Sequence, residues 1–145
     1  MANSWSGHPK SLKRLFFTEM WERFSFYGLN AVLVLFLTKA MHIPEGLALI
    51  IFGSYVTYVY LSTTIAGFLA DRLYGYAIVA FMGGVFILMG HITMALSGFN
   101  FNLFYFGLGC IATGTGLLKP NVSVMVGKLY SDAHEDQRVQ GFNIY

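Results

Sequence analysis

From Leu73 to Leu118 the chain carries not one Asp, Glu, Lys or Arg. A helix rises about 1.5 Å per residue and needs about 20 apolar residues to cross the hydrocarbon core of a bilayer, so this stretch is too long for one crossing. It is broken once by turn-forming residues, at Ser97-Gly98-Phe99-Asn100, and reads as a hairpin of two membrane helices. The remainder agrees. Of 145 residues, 56% are hydrophobic and 11% charged, against roughly 25% charged in soluble domains. The net charge of +2 is too small to attract a polyanion, which argues against a nucleic-acid partner. One cysteine, Cys110, makes no intrachain disulfide or thiolate cluster possible.

Charges and turn residues cut the sequence into four spans, at about 15–38, 47–70, 76–97 and 101–126. Lys39, His42, Pro44, Glu45 and Gly46 separate the first two, and Asp71-Arg72-Leu73-Tyr74-Gly75 the second and third. The expected fold class is all-α: a polytopic membrane protein of four transmembrane helices. Residues 127–140 read as a charged cytosolic loop, and 141–145 as the start of a fifth helix in a truncated chain. Short connections force neighbours antiparallel, which places Lys10, Lys13, Arg14, Arg72, Lys128 and Arg138 on one side and Lys39 alone on the other. The positive-inside rule then puts the N terminus, with segment 1–14, in the cytoplasm of a cell that carries the protein in its inner or plasma membrane. Glu19, Glu22 and Arg23 interrupt the first span, so it is no cleavable signal peptide.

Four Asp, Glu, Lys or Arg residues fall inside the spans: Glu19, Glu22, Arg23 and Lys119. A charge at the bilayer centre costs about 2.5–3.5 kcal/mol on insertion scales, so such groups face the protein interior and pair with one another. Glu19, Glu22 and Arg23 stand at i, i+3 and i+4 on one helix face, which Phe26 and Tyr27 continue. Arg23 lies nine residues past Arg14 and Lys119 nine before Lys128, both roughly 13–14 Å deep. Equal depth predicts a shared cluster with no net charge. A proton on either glutamate makes the set positive, and a substrate carboxylate restores neutrality, so a proton is coupled to an anion without covalent chemistry. The bland alternative is an intrahelical Glu19–Arg23 pair that merely lets the helix insert, with Lys119 snorkelling to the headgroups. Against it, Lys119 precedes Pro120, which frees a backbone carbonyl and suits a bent, polar-lined segment.

The remaining features sort by chemistry. Asp71 and Arg72, in a tight loop between Gly67 and Gly75, suit either a solvated turn or a gating latch. Tyr55, Tyr58 and Tyr60 with nearby Thr and Ser residues make the second span polar, which suits interhelical hydrogen bonding or a water-facing wall, and the depth of Tyr60 favours the wall. The glycines spell no phosphate loop and are read as packing sites. His91, without a second ligand at i+3 or i+4, reads as a hydrogen-bonded packing residue. An intramembrane hydrolase would need a nucleophile with a base, or clustered metal ligands, and neither is apparent. A small four-helix proton-coupled drug exporter of dual topology would need balanced loops, against six positives facing one. A purely structural subunit leaves the buried charges without a reason.

Three motifs now stand in order. Glu19-Met20-Trp21-Glu22-Arg23-Phe24-Ser25-Phe26-Tyr27-Gly28 resembles the E-x-x-E-R-F-x-Y-Y-G signature of the proton-dependent oligopeptide transporters, a branch of the major facilitator superfamily. Gly67 to Gly75 is similar to that superfamily's cytosolic loop between helices two and three, and Gly114 to Asn121 to the family's fourth-helix motif. The resemblance implies the N-terminal part of an importer that couples proton flow to di- and tripeptide uptake by alternating access, with the proton as coupling ion and no other cofactor. It implies proton coupling at Glu19, Glu22 and Arg23, carboxylate binding by Arg23 and Lys119, and a site lined by Tyr27 and Tyr60. Its partners would be the bilayer, a small peptide and the missing C-terminal helices. Phe26 departs from the motif, which has tyrosine there. The family also carries nitrate and other small anions, which these residues do not exclude.

Overall fold

A computed structural model describes residues 8–130, 139 and 141–143. Among the described residues there are four long helices and no strand: α1 Lys10–Lys39, α2 Glu45–Leu69, α3 Tyr76–Ala95 and α4 Phe101–Lys128. Residues 139 and 141–143 are helical too. The expected loop 127–140 falls largely outside the described residues, as do Arg138 and the ends of the expected segments 1–14 and 141–145.

Each boundary has a local cause. Pro9 precedes the first turn of α1 and cannot extend it backwards, so the helix starts five residues before the expected span. Lys39 closes α1 with a positive charge at its carbonyl end. His42 then takes φ +54°, the left-handed conformation that ends helices, and Pro44 and Glu45 open α2. Past Leu69 the chain widens into one π turn, Ala70–Tyr74, and reverses at Gly75, whose φ of +78° suits glycine. After α3 a 3₁₀ turn, Ser97–Phe99, leads to Asn100, whose side chain accepts the Asn102 amide at 2.8 Å and caps α4.

Glycine spacing decides how the helices pack. Gly83 and Gly90 lie two turns apart on α3, as do Gly107 and Gly114 on α4, and the antiparallel hairpin sets Gly83 against Gly114 and Gly90 against Gly107. A Cβ on Gly83 would stand 2.7 Å from the Gly114 carbonyl oxygen, and one on Gly107 2.8 Å from that of Gly90. Close backbones of this kind are how helices associate where no water drives them together. Gly116 does the same for α2, where Ser62 and Val59 occupy the space of a side chain. Consequently α4 is the core: 61% of its most apolar stretch is buried, against 22% for α2 and 17% for α3. Leu33 and Leu37 of α1, Ala48, Tyr55 and Val59 of α2 and Phe104, Leu108 and Ala112 of α4 form one apolar cluster. At the other end Leu12 packs on Val126 and Tyr130. Ile50, Leu35 and Phe81 face outward, as suits contact with lipid or further helices.

The stretches Glu45–Tyr74, Tyr76–Ala95 and Phe101–Lys128 are long and apolar enough to cross a membrane. With 30 residues α1 has the length, but Glu19, Glu22 and Arg23 dilute its hydropathy, so length and composition alone do not count it as a fourth.

Candidate functional site: a charged centre between helices one and four

On α1 the apolar residues Leu12, Leu33 and Leu37 are buried at the two ends, and in the middle the buried residues are acids. Glu19 is 5% and Glu22 4% exposed. Arg23 reaches back one turn: its Nε donates to Glu19 Oε1 at 2.7 Å, and a terminal guanidinium nitrogen lies 2.7 Å from the same oxygen. The Arg23 Nε is 4.0 Å from Glu22 Oε2, beyond hydrogen-bond range. Among the described residues, Glu19 Oε2 and both carboxyl oxygens of Glu22 are buried without a hydrogen-bond partner. Arg23 thus satisfies one acid and leaves the other attracted but unbound. A carboxyl in that position changes the local field most when it gains or loses a proton, because little else there screens it.

Lys119 comes from α4. Its Nζ stands 5.7 Å from the centroid of the Phe26 ring, one turn beyond Glu22 on α1, and it is close enough to Glu22 for the two charges to attract. Phe26 in turn stacks on Tyr55 of α2, with centroids 6.3 Å apart and planes at 28°. α4 runs unbroken through Pro120, and Asn121 donates to the Leu117 carbonyl at 2.6 Å beside it. Four residues from two helices therefore stand around one buried locus, with an aromatic column on its flank.

The other predicted residues lie further out. Tyr27 is 59% exposed, one turn beyond Arg23, so it extends the charged stripe to the open face. Tyr60 is 66% exposed on α2. Asp71 and Arg72 sit at the end of the helices where α1 begins and α4 ends, in the π turn. There the Tyr76 hydroxyl donates to Asp71 Oδ1 at 2.6 Å, and Lys128 Nζ lies 3.8 Å over the Tyr76 ring. Arg72 is exposed and makes no ion pair among the described residues. His91 bonds as a packing residue: its Nδ1 is 2.8 Å from the Ile87 carbonyl, which can only accept, and its Nε2 is 2.9 Å from Ser25 Oγ on α1.

The sequence does not separate Tyr55 from Tyr58 and Tyr60. Its signal is periodic: Ala48, Tyr55, Val59, Ser62 and Ala66 recur at helical spacing and are the buried face of α2. Apolar residues on every other face of α2 mask that rhythm.

Four packed helices with paired ionisable groups buried between the first and fourth define a polytopic membrane protein built around a charged interior. Comparison with known proteins gives its family. The model of the POT family matches residues 77–145. An uncharacterized transporter of Bacillus subtilis, YclF, is 46% identical over 144 residues, and a di-/tripeptide transporter of Lactococcus lactis subsp. lactis 43% identical over 146, each alignment taking in 96% of this chain. Among solved structures, a peptide transporter POT in complex with sulfate superimposes with a TM-score of 0.89 at 44% identity, covering 96% of this chain and 29% of its own. A POT family transporter in complex with a thioalcohol-conjugated peptide gives 0.89 at 36% identity. The chain belongs to the POT family, and it spans 29% of the length of the curated relatives it matches.

Proposed function

We propose that this chain is the first part of a proton-coupled importer of di- and tripeptides, and that Glu19, Glu22, Arg23 and Lys119 are its coupling centre. The observation that carries the proposal is the buried carboxyl of Glu22, held between Arg23 and Lys119 without a hydrogen bond to either. Ionised, the four groups sum to zero. Protonated at Glu22, they carry one positive charge, which the C-terminal carboxylate of a peptide neutralises at Arg23 and Lys119. Loss of the proton restores the internal pairing and releases the carboxylate. Tyr27 and Tyr60, both facing outward from the four helices, line the peptide's path toward later helices of the same polypeptide. The proton is the coupling ion, and no organic cofactor or metal is required.

Phe26 has no hydroxyl to offer a peptide, but its ring holds the Lys119 ammonium and so sets where the cation waits. The gate is built at the helix end where α1 begins and α4 closes. Asp71, Tyr76 and Lys128 form a chain from the α2–α3 turn to the end of α4, and Arg72 is free to engage a partner that arrives with closure. In this reading the N terminus and the α2–α3 turn are cytoplasmic, the protein is multi-pass in the cell membrane, and transport needs the second bundle against which this one rocks. Relatives named as di-/tripeptide transporters support peptides as the substrate class. The test is uptake of labelled dialanine by liposomes holding a complete polypeptide that includes this chain. Accumulation under an inward proton gradient, abolished by a protonophore, supports the proposal; accumulation indifferent to the gradient refutes it.

A further inference from the structure

Glu22 has a neighbour that the charged stripe does not contain. Tyr55 is 4% exposed on α2, and its hydroxyl, like both carboxyl oxygens of Glu22, is buried without a hydrogen-bond partner among the described residues. The two belong to the same locus: Phe26, one turn beyond Glu22, stacks on the Tyr55 ring, and the tyrosine feels the Glu22 charge. A phenol can donate one hydrogen bond and an ionised carboxylate can only accept, so each is the complement the other lacks. Unpaired buried polar groups are costly, which favours pairing the two.

We propose that Tyr55 is a positioning residue of the coupling centre, its hydroxyl donating to the Glu22 carboxylate in the ionised state and releasing it on protonation. This goes beyond the charge balance described above and rests on the transport reading only for its consequence, not for its geometry. The groups facing Glu22 are Glu19 and Arg23 from α1, Lys119 from α4 and Tyr55 from α2; from α3, His91 reaches the same helix through Ser25. Arg23 is already engaged with Glu19. The phenol is therefore the uncharged donor, beside the Lys119 ammonium, that can distinguish the two protonation states of Glu22. Both side chains are already buried among α1, α2 and α4, so no further helix is needed to bring them together.

The experiment compares the complete polypeptide with Tyr55→Phe, which keeps the ring stacked on Phe26 and removes only the hydroxyl. Tyr58→Phe is the control, since Tyr58 pairs instead with Thr113 at 3.1 Å. Infrared difference spectra across pH, with Glu22→Gln identifying the carboxyl band, read the proton on Glu22 whether or not peptide moves. The Tyr55→Phe midpoint is expected about one pH unit higher, a tenfold change in proton affinity, because a donor to the ionised form is gone; Tyr58→Phe is expected to leave it in place. An unmoved midpoint in Tyr55→Phe, in protein that retains its helical circular dichroism, overturns the inference. In liposomes, the same variant should move the pH midpoint of proton-driven dialanine uptake in parallel while peptide exchange at equal pH persists. If the unaltered protein takes up no peptide yet the infrared shift is present, the transport reading falls and the Tyr55–Glu22 pairing stands.

Discussion

The ammonium nitrogen of Lys119 stands 5.7 Å from the centre of the Phe26 ring, and this contact joins α4 to α1 at the level of the acidic stripe. A lysine that snorkelled toward headgroups would leave the aromatic face and lie apart from Glu22. Here the cation is held inside, against the ring and within the field of the acid.

Lys119→Gln removes that cation and leaves Glu19, Glu22 and Arg23 with an excess negative charge. Hydrogen bonds to charged groups contribute about 1.5–3 kcal/mol. The apparent KM for dialanine in an exchange assay at equal pH on both sides is expected to rise by roughly 10- to 100-fold. Lys119→Arg should recover part of the loss, since a cation is restored in a different shape.

Gly114→Val tests the spine on which the centre is mounted. A Cβ there would meet the Gly83 carbonyl oxygen at 2.5 Å and the Ile87 amide nitrogen at 2.7 Å, so α3 and α4 must separate. Overpacking of this kind costs about 1–3 kcal/mol, read as a lower midpoint of thermal unfolding in detergent. Gly109→Ala on the same helix has nothing within 4 Å of the new carbon and is expected to change the midpoint little.

Much of this is legible in the sequence alone. Charge-free length separated α3 from α4, and Ser97 to Asn100 marked their turn, because turn residues act locally. The i, i+3, i+4 spacing of Glu19, Glu22 and Arg23 placed them on one face, since helix geometry alone sets that. What depends on how helices face one another was not legible. Tyr55 and Tyr60 are alike in sequence, yet one is buried beside Glu22 and the other faces out, because the Gly116–Ser62 contact rotates α2 to present Tyr55 inward. The start of α1 at Lys10 was also hidden, because Leu12 gains its place only by packing on Val126 and Tyr130. The bond from Tyr76 to Asp71 depends on the π turn, which no residue pattern announces.

Beyond the last turn of α4, the Tyr130 hydroxyl lies 2.7 Å from His8 Nδ1, and Gly141 rests against the Tyr130 ring. Burial pushes this phenol above its ordinary pKa of 10.0. Below that value it is neutral both folded and unfolded, and its contribution to stability is complete. As pH rises past it the unfolded chain ionises first, so stability is lost as pH climbs through the folded-state pKa. The unfolding midpoints of the protein and of Tyr130→Phe are expected to keep a constant difference up to about pH 10 and to shift relative to each other only above it, with the unaltered protein losing the more; curves that stay parallel throughout would show a phenol that titrates normally.

The central claim is that Glu22 is the proton's site. In liposomes containing the complete polypeptide, Glu22→Gln should reduce dialanine accumulation under an inward proton gradient to the level of empty vesicles, while exchange of labelled for unlabelled dialanine at equal pH continues. Accumulation that still follows the proton gradient in Glu22→Gln would contradict the account.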